Sequence, residues 1–88
     1  RGTPLNHQQE ALVDLLSAAL RLVADQHQLS PTAIASRKEL EKLVRGEPDC
    51  QLLSGWRFGV AGQTLQALMR GELNLLNQAG KLRLQPIE

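Results

Sequence analysis

Few side chains in this chain are of the kinds that catalysis or metal binding requires, and their spacing does not assemble them into a site. His7 and His27 are twenty residues apart, and no cysteine or carboxylate spacing completes a metal site with them. Cys50, the single cysteine, has no histidine near it in sequence that could act as its base. We therefore predict solvated histidines, a small buried thiol, and no cofactor held by this chain.

Two further patterns invite a chemical interpretation. The run Gly59–Thr64 superficially resembles a phosphate-binding loop, but it lacks the Gly-Lys-Ser/Thr ending of that motif, and no strand precedes it. Gly55, Gly59 and Gly62 are spaced by four and three, which is typical of close helix approach or a helix break. The acidic residues sit near predicted caps and turns, with no pair placed for acid–base work. We therefore predict that this domain is not itself an enzyme.

Basic residues in the middle of the chain form the one charge pattern that indicates a function, namely contact with nucleic acid. The set that we predict to contact nucleic acid is Arg37, Lys38, Lys42, Arg45, Arg57 and Arg70. Within it, Lys38, Lys42 and Arg45 follow at i, i+4 and i+7, so they form one stripe on a helix that could track a phosphate backbone. The alternative is a solvated face that is partly neutralised by Glu41, which can pair with Arg45.

The aromatic residues add little to a nucleic-acid interpretation, since Trp56 and Phe58 are too few for a row of stacking platforms. Trp56 is the largest apolar side chain, so we predict that it anchors the core. Arg57 between them could contact a phosphate, or it could lay its stem over the core and pair with a local acid.

Helical periodicity and capping residues predict an all-α fold, a compact bundle of four to five short helices. The predicted helices are Leu5–Asp25, Pro31–Ala35, a helix capped by Ser36 that ends at Arg45, a helix capped by Asp49, and Gln63–Arg70. Thr3 or Asn6 caps the first of these, and Ser36 forms a reciprocal capping box with Glu39. The expected division is an N-terminal tail at 1–4, the helical domain at 5–71, and a loose tail or weak hairpin at 72–88.

Length and composition set the class of protein. The chain has 88 residues, of which 42% are hydrophobic and 22% charged, and this balance is typical of one small globular domain. Ten basic against nine acidic residues give a net charge of +1, which is no general signal for nucleic acid. There is no apolar run long enough for a membrane span and no secretory leader. We therefore expect a cytoplasmic monomer with no membrane contact.

Three segments resemble a known family. Leu29–Leu40, which reads LSPTAIASRKEL, and Leu52–Arg57, which reads LLSGWR and is followed by Leu65–Gly71, resemble bacterial ribonuclease D. The match is to the second of that family's two C-terminal HRDC domains, a module that ribonuclease D shares with RecQ-type helicases, and it covers about Leu12 to Gly71. The resemblance implies an all-α bundle of about five helices.

The resemblance also implies that the chain is part of a longer 3′–5′ exoribonuclease that trims structured RNA, including tRNA precursors. In that family the catalytic acidic motifs and their divalent metals belong to a separate N-terminal domain, and none of those motifs occurs in this sequence. The family's HRDC domains are variously nucleic-acid binders and protein-contact modules.

Three functions follow as hypotheses. The first is a non-catalytic accessory domain that binds RNA weakly through phosphates and contacts the catalytic domain of its own protein. The second is a structural module that packs against that catalytic domain and shapes its substrate entrance, which predicts an exposed apolar patch at Leu73, Leu75 and Leu76. The third is helix-turn-helix DNA binding through the Gly46–Asp49 turn.

Overall fold

The chain folds into a series of helical segments followed by a β-hairpin, and the computed structural model describes residues 4–87. The elements are α1 (His7–Gln26), α2 (Pro31–Ile34), α3 (Arg37–Arg45), a 3₁₀ turn (Gln51–Leu53), α4 (Gly55–Arg57), a π-helical segment (Phe58–Gly62), α5 (Gln63–Met69), β1 (Leu73–Gln78) and β2 (Lys81–Pro86). The prediction of a mostly helical fold is confirmed, and the prediction that it is all-α is wrong.

Helix α1 begins at a reciprocal cap formed by an asparagine and a glutamine. The Asn6 side chain accepts a hydrogen bond from the Gln9 amide at 2.8 Å, and the Gln9 side chain accepts one from the Asn6 amide at 3.0 Å. Both bonds satisfy amides that have no partner inside the helix. Asn6 is therefore the cap, while the other predicted candidate, Thr3, lies outside the described residues.

The start and the end of α3 follow the predicted local signals. The Ser36 hydroxyl accepts a hydrogen bond from the Glu39 amide at 3.3 Å. At the other end Gly46 has φ of 76°, a left-handed conformation that glycine adopts without steric cost. The reciprocal half of the predicted capping box is wrong, because the Glu39 carboxylate accepts instead from the Gln51 amide, at 2.8 Å.

A close backbone contact holds the C-terminal helical run against the 3₁₀ turn. Segments α4, π and α5 follow one another directly, and a Cβ atom added at Gly62 would lie 2.9 Å from the carbonyl carbon of Leu52 and closer still to its oxygen. Only glycine permits this approach. Asp49 does not cap a helix as predicted, because the chain makes a 3₁₀ turn there with Cys50 in the cap position and no side-chain cap.

The last described residues form a two-stranded antiparallel hairpin, in which Leu75 is paired with Leu84. Ala79 and Gly80 have φ of 55° and 86°, and two successive positive values are typical of a type I′ turn. Leu73, Leu75 and Leu84 pack against the helical core. The hairpin is thereby stabilised by its contact with the helices, since an isolated hairpin is marginal in water.

The core lies between α1 and the helices that follow it. Its largest fully buried side chains are Leu16, Ile34, Leu40, Leu52, Leu65 and Val13. They come from α1, α2, α3, the 3₁₀ turn and α5, so the core joins five helical segments of the described chain.

The contact at Gly62 gives a stability prediction. Gly62→Ala should lower the free energy of unfolding by about 1–3 kcal/mol, because the new methyl group meets the Leu52 backbone rather than a side chain that can move. Gly59→Ala is the matched control in the same segment, where an added Cβ meets nothing within 4 Å. It should raise stability by up to about 1 kcal/mol. Urea unfolding followed by circular dichroism measures both, and equal effects at the two positions would contradict the packing argument.

Candidate nucleic-acid interface

The predicted basic stripe on α3 is engaged in ion pairs over most of its length. The Lys42 Nζ atom lies 3.3 Å from Asp49 Oδ2 and 3.7 Å from Glu39 Oε2, and its side chain is only 26% exposed. The hydrogen bond that Lys42 donates to Asp49, together with the charges of Asp49 and Glu39, raises the pKa of Lys42 above its ordinary value. Lys42 therefore links α3 to the Pro48–Cys50 turn and does not stand free for a phosphate.

Arg45 and Arg37 also have carboxylate partners. Arg45 Nη1 lies 3.7 Å from Glu47 Oε2, so its partner is Glu47 and not Glu41 as predicted. Glu41 lies 3.7 Å from Arg37, whose Nη1 atom is also 3.0 Å from Asp14 Oδ1. These pairs reduce the positive potential along the outer side of α3.

Three of the six predicted cations have no carboxylate partner within the described part of the chain: Lys38, Arg57 and Arg70. Lys38 and Arg70 are exposed. Arg57 is half-buried, and its Nε atom donates a hydrogen bond to the Ile34 carbonyl at 2.9 Å. The structure thus divides the predicted set into a paired half and an unpaired half.

Trp56 is 51% exposed, so the prediction that it anchors the core is wrong. Leu52 occupies the core instead and is fully buried. The sequence interpretation assumed one continuous helix through both residues, whereas Ser54 is extended, with φ of −149° and ψ of 163°, and separates the 3₁₀ turn from α4. This break removes the helical phase relation between Leu52 and Trp56. The Arg57 guanidinium lies over the Trp56 ring, 4.5 Å from its centroid.

The histidines and the cysteine lie where the sequence predicts. His7 and His27 are exposed, and Cys50 is 3% exposed with its thiol donating to the Glu39 carbonyl at 3.3 Å. Burial raises the pKa of the Cys50 thiol, which disfavours the reactive thiolate. Within residues 4–87 no group of three or more His, Cys, Asp or Glu side chains is arranged to hold a metal ion.

The features behind the two alternative hypotheses are only partly present. Leu73 and Leu75 pack against the core, so of the predicted apolar patch only Leu76 is exposed. After the Gly46–Asp49 turn the chain forms a three-residue 3₁₀ turn, which is too short to enter a DNA groove as a recognition helix. Among the helices of residues 4–87, none has the length and apolar character needed to cross a bilayer.

Fold and surface together define a small, mostly helical domain with a hairpin packed on it and a partly neutralised basic face. Comparison with known proteins identifies its relatives. Ribonuclease D of Bartonella henselae is 31% identical over 84 residues, which are 93% of this chain and 21% of that protein. Ribonuclease D of Granulibacter bethesdensis is 42% identical over 66 residues, 74% of this chain and 17% of that protein. Ribonuclease D of Gluconacetobacter diazotrophicus is 39% identical over 66 residues, with the same shares covered.

The chain is therefore related to ribonuclease D, and it spans about a fifth of the length of the curated relatives that it matches. The resemblance predicted from the sequence is confirmed at this level. No family model matches the chain, and no solved structure matches it.

The contacts of Lys42 predict how the stability of the fold depends on pH. Because the folded pKa of Lys42 is raised, its charge stabilises the fold fully below its ordinary pKa of 10.5, and this contribution is lost as pH rises through the folded value. Lys42→Met should therefore lower Tm near about pH 8, and the difference from the unaltered chain should shrink near about pH 12. Lys38→Met, which removes an exposed lysine that pairs with no carboxylate in the described part of the chain, should change Tm little at either pH. A Tm difference for Lys42→Met that is independent of pH would exclude the charge as its cause.

Proposed function

We propose that the chain is a non-catalytic accessory domain of a ribonuclease D-like 3′–5′ exoribonuclease and corresponds to its second HRDC domain. The observation that supports this most strongly is the similarity to ribonuclease D over 93% of the chain and only 21% of the relative. In this proposal the catalytic acids and their divalent metal lie elsewhere in a cytoplasmic protein. The domain makes an intramolecular contact with that catalytic part.

The proposed contribution of the domain is weak binding of structured RNA, such as tRNA precursors, through phosphates. Among the six predicted cations, Lys38, Arg57 and Arg70 pair with no carboxylate of residues 4–87, so they are the first candidates for phosphate contact. Arg37 is a further candidate, since it and Asp14 are both more than half exposed, and such a surface pair contributes only about 0–1 kcal/mol.

Lys42 and Arg45 are weaker candidates for RNA contact. Lys42 lies between Glu39 and Asp49, so binding a phosphate would leave two carboxylates without their partner. The sequence alone suggests that charge reversal at Lys42 leaves the fold intact. The contacts argue otherwise, because a glutamate there would stand beside two acids and destabilise the fold. Lys42 is therefore not a clean test of RNA binding.

Charge reversal at an unpaired lysine tests the proposal. The chain is titrated into a fluorescently labelled RNA stem-loop at low salt, and binding is followed by fluorescence polarisation. We expect Lys38→Glu to weaken binding several-fold and to make the salt slope less steep by about one phosphate contact. The matched control is Lys81→Glu at the start of β2, which makes the same change in net charge at an exposed site outside the proposed set.

The control separates local contact from net charge. A specific loss in Lys38→Glu supports the proposal. No measurable binding at low salt, or equal losses in the Lys38 and Lys81 variants, would overturn RNA binding as the role of this surface.

A further inference from the structure

We propose that Trp56 and Arg57 form a stacking site for one unpaired nucleobase of RNA, an inference that rests on the proposed function. The site would add base contact to the phosphate contacts made by the exposed cations. It is distinct from the α3 stripe, because neither residue belongs to that helix.

The first observation is the exposure of the indole. Trp56 has the highest exposed fraction among the large hydrophobic residues of the described chain, at 51%. The buried core consists of leucines, an isoleucine, two valines, alanines and Cys50, so Trp56 is not needed to complete it. A flat aromatic surface open to solvent is the feature on which nucleic-acid-binding proteins stack unpaired bases.

The second observation is the position of the Arg57 guanidinium. It lies over the indole at 4.5 Å from the ring centroid, and its Nε donates to the Ile34 carbonyl at 2.9 Å. The backbone contact restrains the guanidinium, and no carboxylate of residues 4–87 lies within 4.0 Å of it. Its terminal N–H groups are therefore available to donate hydrogen bonds to the phosphate of a stacked nucleotide.

The third observation is that glycines occupy two positions close to Trp56 on the same helical run. Gly55 and Gly59 lie before and after Trp56 on the same helical run, and both are exposed. A Cβ atom added at either glycine would meet nothing within 4 Å. Neither position therefore carries a side chain that could cover the exposed indole.

These neighbours favour a nucleobase over a protein partner. Protein hot-spot tryptophans lie in pockets and are ringed by other contacts that exclude water. Trp56 is instead flanked by Gly55 and a cationic arginine, and the residue before them, Ser54, is exposed and polar. A base that is already stacked within a duplex offers no free face, so the site should prefer single-stranded RNA.

Intrinsic fluorescence gives a direct test, because Trp56 is the only tryptophan and the chain has no tyrosine. The 88-residue chain is titrated with a single-stranded RNA oligonucleotide, an RNA duplex of equal length, and inorganic polyphosphate. We expect strong quenching by the single strand, weaker quenching by the duplex, and none by polyphosphate. Labelled single-stranded RNA, followed by polarisation, should bind Trp56→Ala at least about fivefold more weakly, and Trp56→Phe should recover part of the loss.

Two controls test whether a loss of binding is specific to Trp56 and whether each variant is folded. Leu82→Ala truncates another exposed hydrophobic residue, which is 42% exposed and lies in the hairpin, and it should leave RNA affinity unchanged. Circular dichroism of each variant checks that the helices are intact.

The outcomes separate this inference from the proposed function. If Trp56→Ala binds RNA as tightly as the unaltered chain does, the proposed stacking site is wrong, while binding through phosphates still stands. In that case we assign Trp56 to a protein contact. Equal quenching by duplex and single strand, or quenching by polyphosphate, also overturns stacking. If no RNA binds at low salt, both proposals fail.

Discussion

The carboxylate of Glu39 fixes the position of the segment around which the helices pack. The Oε1 atom of this carboxylate accepts a hydrogen bond from the Gln51 amide at 2.8 Å, and the backbone carbonyl of Glu39 accepts one from the Cys50 thiol at 3.3 Å. These bonds join α3 to the start of the 3₁₀ turn and so position Leu52, which is fully buried. The Leu52 carbonyl in turn lies against Gly62, so the approach of the C-terminal helical run depends on the same connection.

This connection also determines what α3 can offer to a ligand. The Glu39 side chain is only 12% exposed, and a carboxylate in such surroundings is stabilised by a nearby cation. Lys42 is that cation, and Asp49 on the neighbouring turn shares it. The middle of the predicted stripe therefore has a structural role, and the charges left for a polyanion lie at Lys38 and away from α3.

The parts of the fold that the sequence predicts well are those that local chemistry decides. Ser36 and Gly46 mark the ends of α3 through bonds and dihedral angles within a few residues. The alternation of leucines after Gly71 indicates the hairpin only weakly, because the sequence leaves a loose tail open and does not reveal that the helices stabilise the strands. Each of these signals operates between residues close in sequence, where pattern and structure correspond directly.

Several of the wrong predictions concern partners distant in sequence. Glu39 has a serine cap three residues before it, yet its carboxylate binds Gln51, twelve residues on. Arg37 likewise pairs with Asp14, and no spacing rule for a helix surface connects residues on two different helices. The candidate site was therefore predictable as a set of basic residues, whereas the division into paired and unpaired members required the tertiary contacts.

The exposure of Trp56 follows from the same packing constraint. Gly62 must face the Leu52 carbonyl, and this requirement sets the rotation of the whole run from Gly55 to Met69. Trp56 precedes Gly62 by six residues, which is about one and two-thirds turns of an α-helix. Because the π-helical turn between them is wider, the rotation from Trp56 to Gly62 is closer to about one and a half turns. Trp56 therefore lies on roughly the opposite side of the helix from the buried contact. The glycine that allows the helices to approach thus also directs the tryptophan toward solvent, where an RNA base could reach it.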